Sequence, residues 1–158
     1  MKKLFFLVAL ILASCSKTDN RFPSSEHEKI FQTVYNLPYE ESVFDCSNKS
    51  YACLKFMDCL PVGKPYITLC HNGIQWHSLI VIDNGSSYGL YDPTQGHIKL
   101  LNDYQIPSKY FGYDHQSGPY DLEQIDALQW EQFTVPFYRK QQLVDLLGPV
   151  KCDADWHK

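Results

Sequence analysis

An α+β fold in which N-terminal helices pack on an antiparallel sheet is predicted by three observations on this 158-residue chain. Two stretches with apolar residues at helical spacing precede residue 61, and four short strand-like runs separated by turn signals follow between residues 66 and 101. The composition, 44% hydrophobic and 15% aromatic, suffices for one ordinary core and hardly for two, so a single folded domain over 26–158 is expected.

The first helix is read from SSEHEKIFQTVYNL. Ser24 or Ser25 is the N-cap, acids occupy the first turn, and Ile30, Phe31, Val34 and Leu37 share one face before Pro38 ends it. A second helix opens at Asp45, whose short carboxylate suits an N-cap, and runs to about Leu60 ahead of Pro61 and Gly63. At 100° per residue, Cys46, Cys53, Phe56, Met57 and Leu60 fall within about 80° of one another, an apolar stripe that turns Cys46 toward the core. The strand-like runs are YITLC (66–70), IQWHSLIVID (74–83), YGLYD (88–92) and HIKLL (97–101), parted by Asn72-Gly73, Asn84-Gly85 and Pro93 to Gly96. Residues 102–120, rich in Tyr, Pro, Gly and Ser, read as an irregular surface loop. A short helix near Leu122 to Trp130, a strand-like QFTVPF (132–137) and a helix from Arg139 to Leu147, closed by Gly148-Pro149, complete the domain.

The start of the chain, MKKLFFLVALILASC, has two lysines, an apolar run and small residues ahead of a cysteine, the layout of an export signal over 1–14. The run is too short to span a membrane comfortably. Leu12-Ala13-Ser14-Cys15 resembles the lipobox of bacterial lipoproteins, which implies that Cys15 becomes the lipidated first residue and that 15–25 tethers the domain to a membrane. Ser16 after the cysteine implies, by the enteric-type sorting rule, an outer-membrane location in the cell envelope. Without 1–14 the chain carries 12 Lys and Arg against 18 Asp and Glu, a charge of −6, and no basic cluster, so nucleic acid is not an expected partner. With Cys15 set aside, Cys46, Cys53, Cys59, Cys70 and Cys152 remain, an odd number, so in an oxidising compartment at least one thiol stays unpaired within the chain. The short helix-to-strand connection suggests Cys59 with Cys70 as a disulfide.

Chemistry is suggested by three residues. If Asn84-Gly85 forms a two-residue type I′ turn, His77 lies directly opposite Asp92, with Cβ atoms about 4.5–5.5 Å apart. A four-residue loop over 84–87 makes them diagonal neighbours on one face, and a three-residue loop puts them on opposite faces, so register decides the contact. A carboxylate beside histidine fixes the ring tautomer and stabilises the imidazolium, as a base serving a thiol requires. Cys46, in the first helical turn, lies in the partial positive field of a helix N-terminus, which favours thiolate. Cys53, mid-helix among apolar neighbours, reads as packing or half of a disulfide.

DCSNKSYACLKFMDCLPVGKPYITL followed by WHSLIVIDNGSSYGLYDPT resembles the transglutaminase-like superfamily, including bacterial transglutaminase-like cysteine proteases. In that family a nucleophilic cysteine opens a helix, a Gly-x-Pro turn leads into a strand, a histidine begins the next strand and an aspartate ends the one after. Here these are Cys46, Gly63-Lys64-Pro65, His77 and Asp92, the last within Asp92-Pro93-Thr94. Asp45 stands where the family usually has a glycine, and the segment from helix to Gly63 is a little longer. The resemblance spans about a third of the chain, from Asp45 to Gly96. It implies a papain-like/transglutaminase-like core and a Cys46-His77-Asp92 triad acting on a peptide or protein amide through a thioester, with no cofactor. The alternative is a non-catalytic surface lipoprotein of the same fold that binds a protein or cell-wall partner.

Acyl transfer also needs an oxyanion donor. The Cys46 N–H is one candidate, with Asn36, Tyr39 or Trp76 as a second. No metal is expected, because Cys59, Cys70 and His71 lack the spacing of structural zinc sites. His97 and His115 stand singly in polar contexts and read as surface residues, and the tyrosines of the 102–120 stretch pack that loop or line a groove.

Overall fold

Each helix starts where a short polar side chain captures an orphan amide. In the computed structural model, which describes residues 22–101, 115–151 and Trp156, Ser24 caps α1 (Ser25–Asn36). The Ser24 hydroxyl accepts from the His27 amide, and the His27 ring accepts in return from the Ser24 amide. Burial drives this imidazole down to about 4 against the opposing charge of Glu26, so it remains a neutral acceptor. His27, Ile30, Phe31 and Val34 form the buried face, and the chain turns extended at Leu37. Asp45 caps α2 (Cys46–Met57), whose C-cap is Asp58 rather than a residue near Leu60. Most of α2 from Asn48 to Met57 is buried, because it lies between α1 and the sheet.

The sheet consists of β1 (Lys64–His71), β2 (Trp76–Asp83), β3 (Tyr88–Asp92), β4 (His97–Leu101) and β5 (His115–Tyr120), in the order β4-β3-β2-β1-β5, with every neighbouring pair antiparallel. Two short helices follow, α3 (Leu122–Leu128) and α4 (Phe137–Leu147). The main core joins α1, α2, α4 and one side of the sheet through Phe31, Leu54, Met57, Ile80, Tyr91 and Leu143. A second, smaller cluster gathers Cys70, Leu79, Val81, Leu90 and Leu101. The architecture is therefore mixed α+β with an antiparallel sheet, as the periodicity predicts.

Three expectations are corrected. Residues 115–120 are not loop but β5, an edge strand on β1. Gly118 has φ +103°, and a Cβ there would approach the Ile67 carbonyl oxygen at 2.9 Å, so the glycine read as a turn signal permits close pairing at a bulge. Pro119 is tolerated because an edge strand needs fewer amide donors. The QFTVPF segment is not a strand. Its alternating burial at Phe133 and Val135 arises in a turn, with the Phe133 amide bonded to the Trp130 carbonyl, that leads into α4. Finally, Cys70 is a free, buried thiol, while Cys59 is disulfide-bonded and not to Cys70. The segment 1–14 read as an export signal, Cys15, the tyrosines at 104, 110 and 113, and Cys152 lie outside the described residues. Among those described, no helix is long and apolar enough to cross a membrane.

Tyr91 is fully buried against Phe31, with ring centroids 5.2 Å apart, yet its hydroxyl has no hydrogen-bond partner among the described residues. Removing an unpaired buried hydroxyl relieves a desolvation penalty of about 1–3 kcal/mol at the expense of a small void. Tyr91→Phe is accordingly expected to leave the urea midpoint unchanged or raise it, and a drop equivalent to more than about 1 kcal/mol would contradict the unpaired hydroxyl.

Candidate active site

The β2–β3 hairpin decides whether His77 meets Asp92. Its loop is the four-residue Asn84–Ser87, with Asp83 opposite Tyr88 and the Asn84 amide bonded to the Ser87 carbonyl at 3.0 Å. The Asp83 carboxylate accepts from the Gly85 amide at 2.6 Å and builds this wider turn in place of the two-residue type I′ turn. His77 and Asp92 are then diagonal neighbours on one face, and His77 Nε2 lies 2.8 Å from Asp92 Oδ2. The second carboxylate oxygen, Oδ1, accepts from the amides of Thr94 and Gln95 at 2.9 and 3.0 Å.

Asp92 is fully buried and His77 is 8% exposed. Burial alone would raise the Asp92 carboxyl, but the hydrogen bond and charge of His77 and the two backbone amides outweigh it and hold the group below the ordinary carboxylate range. Burial alone would lower the imidazole. Hydrogen bonds to Asp92 and Cys46, with the charges of both, overcome it and push His77 up to about 9. An ionised Asp92 can only accept, so Nε2 carries a proton and Nδ1 is the ring nitrogen left for Cys46. The ring is an imidazolium at neutral pH.

Cys46 is the first residue of α2 and is half-buried. The N-cap before it is over-determined. The Asp45 carboxylate accepts from the Ser47 amide at 2.9 Å, and the Asn48 side chain accepts from the Asp45 amide at 2.9 Å. Asn48 also donates to the carbonyls of Gln132 and Thr134, at 3.2 and 2.6 Å. One turn after Cys46, the Ser50 hydroxyl donates to the Ser78 carbonyl at 3.0 Å. That bond fixes the helix against β2 next to His77.

Of the other cysteines, burial raises the Cys53 thiol far above its ordinary value and pushes Cys70 up to about 12. Both are packing residues. Cys46 does not lie in the core as its helical stripe predicts. It faces a cleft of about 490 Å³ that it shares with His77, Trp76, Trp130 and Gln132. Among the oxyanion candidates, Trp76 lines this cleft, whereas Asn36 is exposed at the end of α1. Tyr39 is near enough for its hydroxyl to be raised, first by partial burial and then by the charges of Cys46 and Asp45.

Sequence reasoning missed Trp130, Gln132 and Ser117, which complete the cleft from the chain's second half. Their own neighbours in sequence carry no signal of this. Only Asn48, an amide at the third position of a helix, offers donors beyond its cap bond, and these hold the Gln132 segment. Comparison with family models, with curated proteins and with solved structures returns no match.

Proposed function

We propose that the protein is a cysteine-dependent amide hydrolase or acyl transferase, peptidase-like in its use of water, built on a transglutaminase-like core and held at the bacterial cell envelope by lipid on Cys15. The observation that carries this reading is a single imidazole bonded to a buried carboxylate on one nitrogen and to a helix-terminal thiol at the other. The arrangement places a protonated imidazole beside the sulfur, the partner a cysteine nucleophile requires.

In the proposed reaction the Cys46 sulfur attacks the carbonyl carbon of an amide and forms a C–S bond. The His77 imidazolium then gives its proton to the leaving nitrogen as the C–N bond breaks, which leaves a thioester and a neutral imidazole. His77 next takes a proton from water, which attacks the thioester and releases the acid and the thiol. An amine in place of water gives transfer, and a carboxamide side chain as substrate gives deamidation. The Cys46 amide, at the start of α2, is one available donor to the oxyanion, and the cleft offers Gln132 and Trp76 as seconds.

The test is alkylation with iodoacetamide near pH 7, read peptide by peptide in a mass spectrometer. Cys46 is expected to react while Cys53 and Cys70, both fully buried, are spared. His77→Ala is expected to slow labelling by about 10²-fold or more, the scale of a lost proton-transfer partner. Labelling of Cys46 at an unaltered rate in His77→Ala would remove the basis for this function.

A further inference from the structure

The cleft beside Cys46 has an unusual wall. Trp76, directly before His77, is 55% exposed, although burying so large a ring is ordinarily favourable. It is nevertheless held, with its ring centroid 4.8 Å from that of His71 across the β1–β2 pair. Trp130 faces the same cleft and is braced edge-on by Tyr120 at 6.0 Å and stacked on Phe133 at 5.7 Å. The turn that carries Trp130 continues to Gln132 and Thr134, whose carbonyls receive the Asn48 amide of the helix that Cys46 opens. Both indoles are therefore fixed relative to the sulfur, and Leu69 adds an aliphatic surface.

Charge is sparse here. Among the described residues no lysine or arginine lines the cleft, and the one carboxylate in its lining is Asp45, which is engaged by the Ser47 amide. Asp92 already neutralises the His77 imidazolium, so an anion entering the cleft would lose hydration without a free counter-charge among the described residues. Preformed, mostly apolar concavities with a few polar groups are the usual shape of a small-molecule subsite.

We propose that this cleft is a substrate subsite for an uncharged aromatic or branched apolar group, seated between Trp76 and Trp130 within one residue of the carbonyl that Cys46 attacks. The inference rests on Cys46 being the reacting group, and its test separates the two ideas. Purified protein is treated with iodoacetamide, N-benzyl-iodoacetamide, N-(2-aminoethyl)iodoacetamide and iodoacetate, and each rate at Cys46 is divided by that of free cysteine. In each reaction an S–C bond forms and iodide leaves. The benzyl reagent is expected to lead iodoacetamide by about tenfold or more and to saturate with concentration. Trp130→Ala is expected to abolish that lead, bringing the benzyl rate down to the iodoacetamide rate measured in the same variant. Because Trp130 also packs on Phe133, Trp76→Ala is the second variant; this residue is exposed enough to be replaced without opening the core, and it is expected to cut the benzyl preference several-fold. Equal normalised rates for the benzyl and parent reagents, or a lead for the aminoethyl or anionic reagent, would overturn the subsite. In His77→Ala all rates are expected to fall with the benzyl preference kept. Unaltered rates there, with the preference intact, would sink the proposed catalysis and leave an apolar binding cleft.

Discussion

Asp92→Asn is expected to lower the activated alkylation of Cys46 by about 10²–10⁴-fold, with the fold retained. Asparagine keeps the size of the side chain and can still accept from the amides of Thr94 and Gln95, so the turn after β3 survives. The change removes the negative charge beside His77 Nε2. Burial, the largest influence on this imidazole, then acts with much less opposition and returns the ring toward neutrality. Stability supplies an independent reading. The folded pKa of His77, about 9, lies above its ordinary 6.5, so the folded state binds more protons through that interval. The resulting stabilisation is complete below about pH 6.5 and is lost as pH rises through about 9, a fall on the order of 3 kcal/mol. In Asp92→Asn that slope is expected to vanish or reverse, measured as urea midpoints from pH 6 to 10. A wild-type stability that is flat over the same range would rule out the charged pair.

Lys49→Met is expected to be the most destabilising change outside the triad, by about 2–4 kcal/mol. Lys49 is 2% exposed in the middle of α2, and its ammonium donates to the carbonyls of Tyr35 and Leu37 at 3.0 and 2.7 Å. These are C-terminal carbonyls of α1 and its cap, which carry partial negative charge and have few other partners. Burial lowers the Lys49 pKa, yet hydrogen bonding and the Phe44 ring, 5.7 Å from the nitrogen, keep the cation placed. Methionine retains most of the stem and its packing, so the expected loss isolates the ammonium. A shift in the urea midpoint with unchanged m-value would verify it, and a neutral result would mean that water satisfies those carbonyls.

Both helices beside the site were legible because their ends are written locally. Ser24 and Asp45 are short acceptors followed by amphipathic runs, and each forms the reciprocal cap its neighbours allow. The meander from β1 to β4 was equally plain in its strand-like runs and turn residues. Register within it was not. The two-residue and four-residue loops both fit Asn84-Gly85, and the choice came from the Asp83 side chain capturing the Gly85 amide. β5 was hidden because edge pairing depends on backbone geometry, which Ser-Gly-Pro can satisfy but does not advertise. Trp130 and Gln132 were hidden for a different reason. Their place in the cleft depends on contacts with Asn48, far away along the chain.

One consequence of the topology concerns timing. The acid and the imidazole belong to neighbouring strands of one hairpin and can meet early in folding, but the sulfur arrives only when a separate helix docks through Ser50 on Ser78. A chain in which that docking has not occurred holds Cys46 apart from the imidazole. The proposed reactivity therefore depends on helix and hairpin together, since neither part alone carries all three groups.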